Sequence, residues 1–176
     1  MRRTTFRVLR IRTRAGDRAQ GWLSLGALHI RVALGRSGIR ANKREGDGGT
    51  PRGVFRPLRL WWRADRAPRP VTVLPLRRIR PSLAWCEDPA DRRYNRPLDL
   101  TAGAPGDRLW RDDRLYDYVL EIDHNVRPRV PGRGSAVFIH VARDGLRPTA
   151  GCVALPVRRL RWLLGRLGRR TRILIQ

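Results

Sequence analysis

The stretch FIHVARDGLRPTAGCVAL, residues 138–155, contains one of the three histidines and one of the two cysteines of the chain. His140 lies in an apolar run, which predicts a buried β-strand. Cys152 comes after the loop of residues 141–151, which has the length to fold back beside that strand. The sequence therefore predicts a His and a Cys on adjoining segments, and it raises the question of whether they form a nucleophile and its base.

Cys152 has several features of a reactive thiol. The thiolate is the reactive form of cysteine, and it requires a nearby base or a positive field. A helix is predicted directly after Cys152, and amides at a helix N-terminus favour negative charge, so we expect a lowered thiol pKa. The same amides can form an oxyanion hole, and Gly151 lets a carbonyl substrate approach without a Cβ in the way. The alternative is a small buried cysteine beside a structural histidine.

The other hydrophobic patterns predict a mainly β fold with one or two helices. LHIRVAL, Leu28–Leu34, alternates apolar and polar residues, as a half-buried strand does. Leucines at helical spacing predict one helix from Leu155 to Leu167, with Pro156 in its first turn and Gly168 as its stop. Further strands are predicted at residues 5–12, 22–25, 116–122 and 135–141, and in the final segment RILIQ.

Length and composition indicate a single globular domain that spans residues 1–176. The chain is 41% hydrophobic, and its 13 Pro and 17 Gly favour a β-rich fold with many turns. The glycines of KREGDGGTPRGVF, Lys43–Phe55, predict a turn between strands. Arg63–Asp113 is rich in Pro, Arg and Asp, and predicts long loops with short strands that carry function or cover a site.

The charge is strongly basic, at +24, and Lys43 is the single lysine among the basic residues. Such charge favours electrostatic contact with anionic envelope polymers or acidic lipid. It also fits a nucleic-acid binder. However, the basic residues are spread along the chain and form no zinc-finger, basic-zipper or clear helix-turn-helix pattern. We therefore expect no specific nucleic-acid partner.

The cysteine count and the hydropathy bear on whether the protein is disulfide-rich, metal-binding, membrane-spanning or secreted. Two cysteines, Cys86 and Cys152, are too few for a disulfide scaffold, although the sequence is compatible with a single disulfide between them. No further His or Cys lies at ligand spacing, so neither a metal site nor a cofactor is expected. The sequence shows no run of about 18 apolar residues and no secretory signal. It leaves open both a cytoplasmic location and export by a route that it does not show.

Two ordered motifs resemble the L,D-transpeptidase catalytic domain, the YkuD family. His140 followed by TAGCVAL, residues 149–155, resembles the family's His, short loop and Ser/Thr-x-Gly-Cys. The upstream KREGDGGTPRGVF resembles its early motif Lys-x-Glu-Gly-Asp-Gly-x-Thr-Pro-x-Gly-x-Phe. WCEDPADRRYNRP, residues 85–97, and GRGSAVFIH, residues 132–140, look like a bacterial branch of the family. The resemblance runs from about Phe6 to the C-terminus.

This resemblance implies a mixed, mostly β-sheet fold of the YkuD sandwich or barrel type, and acyl transfer on peptidoglycan stem peptides. Cys152 would attack the carbonyl of the third stem residue, with His140 as its base, and an amine would resolve the thioester. Amides of Gly151 and Cys152 would bind the oxyanion, and Thr149 would shape the loop and orient His140 through its hydroxyl or carbonyl. The family also implies a periplasmic or envelope location.

The chain departs from the family pattern at two positions beside the Cys. Many members carry His at the position of Ala150 and Arg at the position of Ala154. Arg143 and Arg147, in the loop between His and Cys, are candidates to replace that arginine as clamps for a substrate carboxylate. Cys86, in the stretch LAWCEDPADRRYNRP, residues 83–97, is interpreted as structural. We expect this loop to line the substrate groove, with contacts from Trp85, Tyr94 and Asn95.

The sequence thus predicts an L,D-transpeptidase-type cysteine acyltransferase, and two alternatives remain. The first is an L,D-carboxypeptidase or other hydrolase of the same fold, which would use water as the acceptor. The second is a non-catalytic basic module that binds envelope polymer or nucleic acid, with salt-sensitive binding that is independent of Cys152. The donor peptide, the acceptor and the oligomeric state cannot be predicted from the sequence.

Overall fold

A computed structural model describes residues 5–100 and 106–176 of the chain. Over these residues it contains fifteen strands, one 3₁₀ turn at Asp144–Leu146 and one α-helix, α1, at Val157–Leu164. The strands are β1 Val8–Arg14, β2 Asp17–Leu25, β3 Leu28–Ala33, β4 Ile39–Arg40, β5 Thr50–Pro51, β6 Gly53–Phe55, β7 Pro57–Trp62, β8 Leu76–Arg78, β9 Leu83–Trp85, β10 Pro97–Asp99, β11 Asp107–Arg108, β12 Tyr118–Ile122, β13 Phe138–Val141, β14 Val153–Leu155 and β15 Arg172–Ile175.

Ten strands form one large, curled, mixed sheet in the order β6-β15-β1-β2-β3-β14-β13-β12-β7-β8. The pairs β1–β15, β7–β8 and β13–β14 are parallel, and the other neighbours are antiparallel. Two small sheets, β10-β9-β11 and β4-β5, complete the fold. The predictions of a mainly β fold, a mixed sheet and a single domain are confirmed.

The middle of the sheet is buried on both faces. Side chains alternate along β13 and β14, so Ile139 and Val153 point into one hydrophobic cluster. Phe138 and Cys152 point into a second cluster on the opposite face. The second cluster also takes side chains from the region of β8 to β11, which packs over this face. A segment predicted as loops with short strands thus covers the centre of the sheet.

The helix is shorter at both ends than the sequence predicts. Leu155 belongs to β14, where it pairs with Val141, and the helix begins only after Pro156. It ends at Leu164 with Gly165 as its C-cap, not at Gly168. The leucine pattern does identify the buried face of the helix, which packs on the first cluster through Leu160, Leu163, Leu164 and the later Leu167. Strand pairing therefore overrides helix propensity at Leu155.

The predicted strands are observed with shifted ends. The segments 5–12, 22–25, 28–34, 116–122, 135–141 and the final RILIQ correspond to β1, β2, β3, β12, β13 and β15. The turn predicted in Lys43–Phe55 is also observed, although its second half forms β5 and β6. In the part of the chain that the structure describes, no helix has the length and apolar character needed to span a membrane.

Candidate active site

His140 and Cys152 face the same cavity. His140 pairs with Ala154 across the parallel β13–β14 ladder, and Cys152 precedes Ala154 by two residues. Because side chains alternate along a strand, His140, Cys152 and Ala154 share one face. All three line a cavity of about 570 Å³ at the edge of the second cluster. The structure thus brings the predicted nucleophile and base together.

The Cys152 thiol is neutral in this environment. Its Sγ donates to the Ala136 carbonyl at 3.2 Å and accepts from the Phe138 amide at 3.3 Å. Burial raises the pKa of the thiol to about 12, and the carboxylates of Asp107 and Glu87 add to this rise. The predicted lowering of the pKa by a helix N-terminus is wrong, because β14 separates Cys152 from the helix. The thiol is therefore protonated at neutral pH.

His140 is neutral as well, and one of its ring nitrogens carries no hydrogen. Its Nδ1 lies 2.8 Å from the carbonyl oxygen of Val141, and because a carbonyl only accepts, Nδ1 carries the hydrogen. Nε2 is then the unprotonated, basic nitrogen. Burial, with smaller contributions from Arg111 and Arg143, lowers the pKa of His140 to about 4, against the opposing effects of the Val141 carbonyl and of Asp113. The ring packs edge-on against Tyr116, with centroids 5.2 Å apart.

The loop before Cys152 is fixed by Thr149 and requires glycine at 151. Thr149 Oγ1 donates to the Cys152 carbonyl at 2.6 Å and accepts from the Gly151 amide at 3.1 Å. The Thr149 carbonyl accepts from the Arg36 amide, so neither group orients His140 as the sequence predicts. Gly151 has φ +151°, and a Cβ there would lie 2.9 Å from the Gly49 carbonyl oxygen. The hydroxyl thus shapes the loop and engages one of the two predicted oxyanion donors.

The KREGDGG segment closes the cavity from the other side. Lys43 is buried, and its Nζ donates to Asp47 Oδ1 at 2.6 Å. Asp47 also accepts from the Arg44 and Gly49 amides, which holds the turn in place beside Gly151. The pKa of Asp47 is lowered even though partial burial opposes this, because Lys43 and the two amides stabilise the carboxylate. The two motifs of the sequence, about 90 residues apart, therefore meet at one cavity.

Trp85, Tyr94 and Asn95 lie under the cavity and not among its lining residues. In place of the predicted contacts with a substrate, these side chains form hydrogen bonds within the protein. Asn95 Oδ1 accepts from Trp85 Nε1 at 2.9 Å and from the Ala136 amide at 3.2 Å. The Tyr94 hydroxyl donates to Glu45 Oε2. These three buried side chains thus position Ala136 and Glu45, which line the cavity.

Arg143 and Arg147 do line the cavity, and both are exposed. Many of the cavity residues were not predicted from the sequence, and they include Glu45, Glu87, Asp107 and Tyr116. Glu87 lies in the loop that contains Trp85. The sequence therefore predicted that this loop reaches the site, but it pointed to other residues of the loop. Glu45 lies inside the KREGDGG motif, and this motif is the signal by which it could have been found. Asp107 and Tyr116 carry no local sequence signal, because the chain fold alone brings them to Cys152.

The cysteines form no bridge with each other. Cys86 and Cys152 are both buried and free. Burial also raises the pKa of Cys86. Cys86 is held in its loop by backbone hydrogen bonds to Arg96 and Asn95. These contacts agree with the structural role that the sequence predicts for it.

Comparison with protein families gives one match that covers nearly the whole chain. The family model for the L,D-transpeptidase catalytic domain, YkuD, matches residues 9–175. The chain belongs to the YkuD family. No curated protein sequence and no solved structure shows significant similarity to it. The resemblance noted in the sequence is thus confirmed at the level of the family.

This YkuD domain differs from many members in the charge at one cavity position. Ala154 is almost fully buried and pairs with His140, so an arginine there would point into the cavity. Arg111 and Arg143 are among the arginines that line the cavity, and both lower the pKa of His140. Arg111 is held by Asp113 at 2.6 Å. Arg143 is 3.8 Å from the same carboxylate and is the more available of the two.

We expect the resting thiol to react slowly. In a Cys86→Ala background, alkylation of Cys152 by iodoacetamide near pH 7 should be about a hundredfold slower than that of a free cysteine. The rate should rise about tenfold per pH unit until about pH 11, because only the thiolate reacts. The double variant with Cys152→Ala gives the background. A rate that levels off below about pH 8 would indicate a thiolate–imidazolium pair and contradict this description.

Proposed function

We propose that this YkuD domain is a cysteine-dependent L,D-transpeptidase that acts on peptidoglycan stem peptides. The observation that carries the proposal is the shared cavity of Cys152 and His140, with Nε2 as the unprotonated nitrogen of the ring. Membership of the family supports an enzyme of this class and a substrate related to peptidoglycan.

The acylation step requires both neutral groups at once. As Cys152 Sγ attacks the carbonyl of the third stem residue, its proton passes to His140 Nε2. Neither group is charged beforehand, so transfer and attack are coupled. The imidazolium then gives its proton to the amine of the departing terminal D-Ala. A thioester on Cys152 remains, and His140 is neutral again.

The oxyanion of this step is proposed to bind the Cys152 amide. Within residues 5–100 and 106–176, that amide has no hydrogen-bond acceptor, whereas the Gly151 amide is bound to Thr149. The loop geometry set by Gly151 leaves the backbone open to an approaching carbonyl. Thr149 therefore acts through the loop and does not contact the reacting atoms.

The second half-reaction transfers the acyl group from Cys152 to an amine. His140 accepts a proton from the attacking amine and delivers it to the departing Sγ. Water in the place of the amine would give a carboxypeptidase, which is the hydrolytic alternative. We propose the envelope as the place of action, because the family is typically associated with it. The +24 charge would favour contact with anionic polymers there.

Intact-mass measurement tests the proposed reaction. The protein is mixed with a tetrapeptide-stem muropeptide, with and without a free D-amino acid. We expect a thioester adduct that lacks D-Ala, and an exchanged terminal residue when the D-amino acid is present. Cys152→Ala should abolish both, and His140→Ala should slow adduct formation about a hundredfold or more.

The outcomes separate the three functions considered. Loss of D-Ala with only water added would support the hydrolase. A folded protein that forms neither adduct nor product would contradict acyl transfer. Salt-sensitive binding of anionic polymer that survives Cys152→Ala, without any thioester, would favour the binding module.

Arg143→Ala and Arg147→Ala test the proposed clamp for a donor carboxylate. Both side chains line the cavity, and a guanidinium–carboxylate contact at an exposed site contributes about 1 kcal/mol. We therefore expect at least one variant to weaken donor binding about fivefold, measured as the muropeptide concentration for half-maximal acylation. Arg158→Ala, on the helix and outside the cavity, is the matched control. Unchanged donor binding in both cavity variants would rule the clamp out.

A further inference from the structure

Three carboxylates line the cavity on the side of the thiol. Glu45, Glu87 and Asp107 are all cavity residues, and Asp107 and Glu87 both act on the pKa of Cys152. Glu87 in turn is influenced by Asp107 and by Glu45, which places the three in one group. In a chain of net charge +24, this is a local concentration of negative charge beside the nucleophile.

Two of the three carboxylates are already engaged by the protein. Glu45 Oε2 accepts from the hydroxyls of Tyr94 and of Ser135, the latter at 2.8 Å. Asp107 Oδ2 accepts from the Tyr116 hydroxyl at 2.9 Å. Its other oxygen lies 3.7 Å from Arg111. These bonds fix both groups as part of the cavity wall.

Glu87 differs from the other two. Among the residues that the structure describes, its carboxylate has no hydrogen-bond donor and no ion-pair partner. The side chain is exposed, and it lines the cavity. Partial desolvation of its carboxyl group, with Asp107 and Glu45 nearby, raises the pKa of Glu87 to about 7. Glu87 is thus a carboxylate available to a ligand and suited to accept a proton near neutral pH.

The cavity is also lined by cations, namely Arg36, Lys43, Arg111, Arg143 and Arg147. Arg111 is held by Asp113 at 2.6 Å, and Arg143 lies 3.8 Å from the same carboxylate. Lys43 is bound to Asp47 at 2.6 Å. Glu45, Glu87 and Asp107 line the same cavity as Cys152, and of these three carboxylates Glu87 alone has no partner among the described residues. An ammonium group that enters the cavity can therefore pair with Glu87.

We propose that Glu87 binds the ammonium group of the acyl acceptor and thereby selects an amine over water. This inference rests on the proposed transpeptidase function and specifies its second substrate as a primary amine, protonated in solution. The excess positive charge of the protein repels such a cation, and the carboxylate group at Glu87 offsets that repulsion locally.

The proton balance of the step is complete with the residues present. The ammonium nitrogen gives one proton to the Glu87 carboxylate and becomes a nucleophilic amine. It attacks the thioester carbonyl, the C–S bond breaks, and an amide forms. The second proton of the nitrogen passes through His140 Nε2 to Cys152 Sγ, which regenerates the thiol. One carboxylate and one ammonium are consumed, and a carboxylic acid and a neutral amide remain.

The test measures acceptor use by Glu87→Gln and Glu87→Ala in the full chain. Acyl-enzyme is formed from a tetrapeptide-stem muropeptide. The measured quantity is the fraction transferred, which is the amount of exchanged product divided by the sum of exchanged and hydrolysed product. A change in the rate of acylation does not alter this fraction. Two acceptors are compared, a free D-amino acid and hydroxylamine, which is uncharged near neutral pH. Asp88→Asn removes the same charge at the next position, outside the cavity, and is the matched control.

We expect the D-amino acid concentration for half-maximal transfer to rise about tenfold in both Glu87 variants. Hydroxylamine should react as in the unmodified protein, and Asp88→Asn should behave as the unmodified protein with both acceptors. An unchanged D-amino acid dependence would overturn the proposal, as would an equal loss for hydroxylamine, which would indicate a structural role. Absence of any acyl-enzyme in the unmodified protein would overturn the transpeptidase function itself, and the two failures are therefore distinguishable.

Discussion

The parallel pairing of β13 with β14 is the constraint on which the site depends. It fixes the register that sets His140 opposite Ala154, and alternation along both strands then places Cys152 on the same face. The opposite face of the same strands carries Ile139, Val153 and Leu155 into the main core. A slip of one residue in either strand would send its reactive side chain into the core and an apolar side chain into the cavity. The packing that stabilises the sheet therefore also determines how His140 and Cys152 are placed in the cavity.

Burial gives this site its chemical character. Removal from water raises the pKa of Cys152 and lowers that of His140, so both groups are uncharged at neutral pH. The Ala136 carbonyl and the Phe138 amide hold the thiol, while the Val141 carbonyl sets the tautomer of the imidazole. The thiol is therefore protonated at neutral pH in the absence of a substrate. Carboxylates and guanidinium groups line the same cavity and are available to charged groups of a ligand.

Local pattern was enough to predict most of the fold and the two central residues. Alternation located β3, and the apolar run located β13. The motif around Gly151 pointed to Cys152, which does line the cavity beside His140. The prediction failed where tertiary contacts decide. Leu155 has a helical pattern but pairs with Val141 in the sheet, and this removed the expected helix terminus from Cys152.

The same distinction applies to the cavity wall. The loop after Trp85 was predicted to reach the site, but its aromatic side chains are used to support Ala136 and Glu45, and Glu87 faces the cavity instead. Sequence order does not show which side chain of a loop turns inward. Asp107 and Tyr116 are brought to Cys152 from separate segments, and only the assembled sheet shows their proximity.

The neutral pairing of thiol and imidazole is tested most directly by ¹⁵N NMR of the histidine rings, with His140→Gln to assign the signals. The structure predicts that His140 is protonated at Nδ1 and unprotonated at Nε2 from about pH 5 upward, because burial lowers its pKa to about 4. A ring protonated at both nitrogens at neutral pH, or a hydrogen on Nε2 in place of Nδ1, would contradict the proposed resting state of the site.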